Sequence, residues 1–161
     1  MKNLLFLAFF GAVIYFGFVQ SSFKQDFLFN GEIYSHVKKV NGGEITNHFY
    51  TPNGEDPKIA HNAIQILELS EEIQKSQWDA QLKPILNGYN LKSVKKQDFE
   101  LSGNFERGGM FFKSYAAPIQ IDGEDHLILY LLVTEKKQKD DSTSQKTKII
   151  NKLKSIQSNF T

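Results

Sequence analysis

The sequence predicts an α+β fold: an antiparallel sheet made of a hairpin and a three-strand meander, with one long or split helix and a C-terminal helix packed on it, and an N-terminal hydrophobic helix in front. Three patterns lead there. The chain opens on a run without charge, proline or amide from Leu4 to Val19. Apolar residues recur at three- and four-residue steps over 57–73 and again over 148–160, the helical period. Elsewhere the period drops to two and glycine pairs punctuate it, as in strands joined by tight turns. Sheets whose helices gather on one side form the α+β class.

The opening run, LLFLAFFGAVIYFGFV, would cover about 24 Å as a helix, short of the roughly 30 Å hydrocarbon core of a bilayer. Residues 1–21 therefore read as a signal peptide or as an N-terminal membrane anchor. Lys2 supplies the positive start, and Val19 and Ser21 the spaced small residues of a cut site, without an Ala-x-Ala. The aromatic content suits an uncleaved anchor that begins at Leu4, centres on Phe10 and ends at Val19, with Lys24 and Asp26 opening the aqueous side. Lys2 and the terminal amine outweigh Lys24, which places the body on the periplasmic or other extracytoplasmic face of the cell envelope. The competing reading is a buried core helix. It would leave a segment apolar on every face at the chain end with little to cover it.

Composition bounds the rest. Residues 22–30 read as a connector and 31–161 as one domain, large enough to fold without staples. There is no cysteine, so a disulfide framework and a lipid-modified cysteine are both excluded. Without Lys2 the basic and acidic residues balance at 18 each, which steers toward neither nucleic acid nor an anionic surface. Arg107 is the single arginine; biased codon usage is the favoured explanation, and since arginine is the preferred bidentate partner of phosphate the scarcity also weighs against a dedicated phosphoryl site.

In order along the chain, Phe23, Phe27 and Phe29 of the connector dock on the body or lie at the lipid boundary. Strands over 32–40 and 44–50 flank Asn41-Gly42-Gly43. A two-residue loop sets Val40 opposite Ile45 and His36 opposite Phe49, and this register is favoured; a loop one residue longer sets His36 opposite His48 and Tyr34 opposite Tyr50. Asp56 and Pro57 read as the cap and first turn of a helix carrying Ile59, Ala63, Ile66, Leu67 and Ile73, with His61, Gln65, Glu68 and Glu72 on its wet side. Ser70 reads as a second helix start. The stripe continues through Trp78, Leu82, Ile85 and Leu86, with a kink or restart at Pro84 and an end at Gly88. Phe99 to Phe105, Met110 to Ile121 and His126 to Glu135 then form the meander, turning at Gly108-Gly109 and Asp122-Gly123. Pro118 implies a bulge or an edge, and the last strand, apolar on both faces, belongs at the centre. Residues 136–146 read as a mobile polar linker to a helix that presents Ile149, Ile150, Leu153, Ile156 and Phe160 to the sheet.

For chemistry, His48, Tyr50, Glu55, Asp56 and His61 gather near one predicted corner, and a hydrolase would pair His48 or His61 with Asp56. Capping and turn roles already account for Asp56 and Glu55. No nucleophile elbow, metal-ligand spacing or phosphate loop is present, so no catalytic residue, metal or cofactor is expected. Glu106 and Arg107 at a hairpin tip are the candidate contact with a protein partner. The expected function is a non-catalytic interaction module, exported or membrane-anchored. The alternative is a binder of an apolar small molecule or lipid, its cavity lined by phenylalanines.

Overall fold

The computed structural model describes residues 22–71, 73, 78–91 and 100–160. The Leu4–Val19 segment with Phe10, together with Glu72 and Phe99, lies outside them. A turn of 3-10 helix (Ser22–Lys24) leads into β1 (Phe27–Phe29), followed by β2 (Glu32–Asn41), β3 (Ile45–Pro52) and β4 (Asn62–Leu69). Helix α1 (Trp78–Gly88) precedes β5 (Leu101–Arg107), β6 (Met110–Ile121) and β7 (Glu124–Thr134). Helix α2 (Thr143–Ser155) and a 3-10 turn (Ile156–Asn159) close the chain. The seven strands make one antiparallel sheet in the order β1-β2-β3-β4-β7-β6-β5. The meander β5-β6-β7 is present, and β7 sits inside the sheet between β4 and β6.

The two apolar layers lie on opposite faces. Ile64, Ile66, Ile128 and Tyr130 pack with Ile150, Leu153 and Phe160 in one; Leu67, Leu69, Leu127 and Leu129 pack with Leu82 and Leu86 in the other. Neighbours along a strand point oppositely, so β4 and β7 are buried on both sides and need two covers. Helix α2 supplies one and α1 the other. This corrects the expectation of helices gathered on one side. Each fully buried leucine or isoleucine contributes about 1.5–3 kcal/mol, which makes the double cover the main stabilising term.

The helix expected over 57–73 is not formed. Asp56 does cap, with Oδ1 accepting Lys58 N–H at 2.9 Å and its carbonyl accepting Ile59 and Ala60 N–H, but it caps a single turn. The chain then extends into β4. The three- and four-residue spacing matched a helix because a strand buried on both faces carries apolar residues at every spacing. Ile59, read as core, is 73% exposed. Ser70 Oγ accepts Ile73 N–H at 3.5 Å, as a helix start would. Helix α1 runs through Pro84 without a restart and ends at Gly88.

The β2–β3 register also differs from both readings. Asn41 pairs with Thr46, Val40 with Asn47 and Lys39 with His48, so residues 42–45 make a four-residue loop. Gly42 N–H donates to Ile45 O and Gly43 N–H to Asn41 Oδ1, the latter with φ +88° at Gly43. A register shift between His36 and Lys38 then brings His36 opposite Tyr50.

The turns at Gly108-Gly109 and Asp122-Gly123 form with positive φ at both central residues, as type I′ hairpins require. Pro118 pairs with Leu127 without a register shift. Its imino edge points where Gln120 N–H points, away from β7 toward Gln157 Oε1, and β5 pairing has already ended at Ala116. The proline therefore sits at a local edge. Helix α2 begins five residues before the expected start, because Ser142 and Gln145 form a reciprocal capping box. Asp140 and Asp141 just before it bond Asn104, Lys113 and Tyr115. Among the described residues no helix is long and apolar enough to cross a membrane.

Candidate functional site

Sheet alternation brings three imidazoles and a carboxylate to one face. His36 lies across from Tyr50, two residues from His48 on the same side of β3. His48 pairs with Ile66, so Glu68 falls beside it, and the β4–β7 register puts His126 next in line. His36 Nε2 and His48 Nδ1 are 3.2 Å apart, and His48 Nε2 is 2.8 Å from Glu68 Oε2. The Glu68 carboxylate can only accept, so His48 donates from Nε2 and receives from His36 at Nδ1. Leu69 N–H donates to His126 Nδ1 at 3.2 Å, which fixes that ring's tautomer as well.

Phe23 covers the cluster. Its ring stacks on His48 with centroids 4.4 Å apart and meets His126 edge-on at 5.4 Å. The Tyr50 hydroxyl donates to the Phe23 carbonyl, and His48 is left 1% exposed. Burial pushes the His48 imidazole below its usual range against the opposing pull of Glu68. Burial, then the His48 charge, lowers His36, which remains half-buried at the outer end. Burial lowers His126 against Glu124 and Glu68. The arrangement can pass or store protons.

The hydrolase constellation expected from sequence is not what gathers here. His48 takes His36 and Glu68 as partners; Asp56 caps its own turn; His61 is exposed and offers its carbonyl to Val133 N–H. Among the described residues, no group of three or more His, Asp or Glu is placed to hold a metal ion. His36 and His48 were singled out by register arguments. Glu68 and His126 do not stand out in the sequence: helical spacing puts Glu68 on a wet face, and strand alternation through Ile64, Ile66 and Glu68 is the signal that places it here.

On the opposite face an open groove of about 600 Å³ runs between the β2–β3 hairpin and α1, lined by Val40, Ile45, Asn47, Leu67, Ile85 and Tyr89 among others. Asn47 Nδ2 donates to Gln65 Oε1 at 2.9 Å, and Tyr89 hydroxyl donates to the same oxygen at 3.3 Å. Asn47 Oδ1 is buried and has no hydrogen-bond partner. A buried acceptor left open costs about 1–3 kcal/mol, an internal cost that a molecule lying in the groove does not reach.

Glu106 and Arg107 do sit at the β5–β6 tip. Arg107 turns inward: its Nη2 donates to Gly88 O at 2.9 Å, closing a free carbonyl at the end of α1, and its guanidinium lies over the rings of Phe105 and Tyr89. Glu106 is exposed beside a smaller cavity of about 200 Å³ with Asn104, Phe111 and Lys137. Comparison of the chain finds no matching family model, no matching curated protein and no matching solved structure.

Proposed function

We propose that the chain is a non-catalytic interaction module, tethered on the extracytoplasmic face of a membrane by its N-terminal apolar segment, that grips an apolar stretch of a partner protein in the groove between the β2–β3 hairpin and α1. The observation that carries this reading is the open groove itself, with walls formed by exposed Val40 and half-buried Ile45 and Ile85. A polypeptide brings what the groove lacks, aliphatic side chains to cover Val40, Ile45 and Ile85 along an open channel. An apolar small molecule fits less well. Sites for such ligands enclose about 70–90% of the ligand surface, and a groove open along its length leaves too much of it in water. The tether is supported by the composition of Leu4–Val19 and by the charge of Lys2.

The test is selection of random ten-residue peptides on the full-length protein in detergent micelles. Apolar peptides are expected, with affinity falling about tenfold in Val40→Ser and in Ile85→Ser, the loss of one apolar contact each. Peptides insensitive to both substitutions would overturn the groove. Displacement of a groove-bound fluorescent fatty acid, with no peptide selected, would establish the small-molecule alternative instead.

A further inference from the structure

Phe23, in the turn Ser22–Lys24, roofs the imidazole cluster, while Phe27 and Phe29 of β1 pack beyond it in the core. Phe23 lies flat on His48 and edge-on to His126, and its carbonyl accepts from Tyr50. We propose that His36, His48 and His126 form an acid-operated latch: neutral imidazoles seat the Ser22–Lys24 turn, through Phe23, on the sheet, and a second proton on the His36–His48 pair lifts that turn off. This goes beyond the groove, which lies on the other face.

The charges around the pair come from every neighbouring element. The 3-10 turn and the residues after it bring Lys24, which disfavours a proton on His36, and Asp26, which favours one. Strand β2 adds Lys39, and β4 adds Glu68, the carboxylate in direct contact. Strand β7 adds Glu124 and Asp125 around His126. One added proton is tolerated: it enters at His36 Nδ1, and the Nε2–H already between the rings still meets a neutral acceptor on His48. Two protons place an N–H on each facing nitrogen, and a 3.2 Å contact becomes donor against donor between two cations. His48 reaches water only when Phe23 moves. Protonating His126 at Nδ1 also removes the acceptor used by Leu69 N–H. Release frees the residues from Ser22 to Asp26, about 16 Å of extended chain, up to β1, which stays paired with β2.

Hydrogen exchange of the full-length protein in micelles, corrected for intrinsic rates, reads the latch directly. Between about pH 7.5 and about pH 5, the amides of 22–26 within peptides covering 22–34 are expected to exchange about tenfold faster or more, while those of 27–34 and 110–134 change little. His36→Gln removes the step, and Glu68→Gln moves it to lower pH because the counter-charge is gone. Unchanged exchange over 22–26, simultaneous loss of protection over the whole sheet, or a full step persisting in His36→Gln would each overturn the proposal. Should His36→Gln fail to fold, the C2-proton titrations of the wild-type histidines decide. Two coupled steps for His36 and His48 that coincide with the exchange change support the latch; independent single steps overturn it.

Discussion

An added Cβ at Gly103 would stand 2.6 Å from the Asn90 carbonyl oxygen, so β5 and the turn after α1 approach more closely than any side chain allows. The turn is held by Asn90 Nδ2 donating to Asn104 O at 2.6 Å and by Ser114 Oγ donating to Tyr89 O at 2.8 Å. Gly103→Ala should therefore destabilise the fold by about 1–3 kcal/mol, read as a lower urea midpoint at unchanged slope, since neither neighbouring backbone can move without breaking these bonds. The sequence shows a glycine among alternating aromatics there, which marks a strand, but the approaching carbonyl comes from a segment thirteen positions earlier and leaves no local trace. His36 and His48 differ in kind. Their meeting was legible as a register question, yet the answer came from a bulge near Val37 that no turn residue announces.

Strand β4 shows where local pattern and tertiary environment part. Asp56, Pro57 and the apolar spacing all point to a helix, and Asp56 does form its cap, but Ile64, Ile66, Leu67 and Leu69 are buried on two opposite faces. A helix would present one stripe; the sheet accepts both. The assignment is open to a direct check. Ile66→Ala should cost about 2–5 kcal/mol, whereas Ile59→Ser, at an exposed turn position, should stay within about 0.5 kcal/mol. A helix over 57–73 would make both costly, and thermal melts of the two variants separate the cases. Turns and caps were far more legible, because Gly108-Gly109, Asp122-Gly123 and Gly88 act through their own backbone angles or position. The capping box Ser142-Thr143-Ser144-Gln145 was present in the sequence and hidden by the charged run around it. Ser142→Ala is expected to cost about 1 kcal/mol and to loosen α2 first, seen as faster exchange over 143–147.

At the scale of the whole molecule, burial of titratable rings bounds stability from both sides. His36, His48 and His126 all carry folded-state pKa values below the ordinary 6.5. The unfolded chain therefore binds more protons as pH falls, and their contribution, complete above that value, is lost on the way down through the folded values. Tyr34, Tyr50, Tyr115 and Tyr130 are shifted the other way, with burial the largest cause at each, above the ordinary tyrosine value. There the unfolded chain releases protons first, so stability is complete below about pH 10 and falls as pH rises through it. The melting temperature should thus form a plateau between about pH 7 and about pH 9.5, with an acid limb and an alkaline limb of separate origin. His48→Gln should make the acid limb shallower and leave the alkaline one intact, while Tyr115→Phe should make the alkaline limb shallower and leave the acid one intact. Tyr115 is suited to this because its hydroxyl meets Asp141 at 2.5 Å, so the phenolate would face a carboxylate on leaving water. A melting temperature independent of pH across the acid limb would mean that the rings already find water in the folded state, and the packing of Phe23 over them would have to be abandoned.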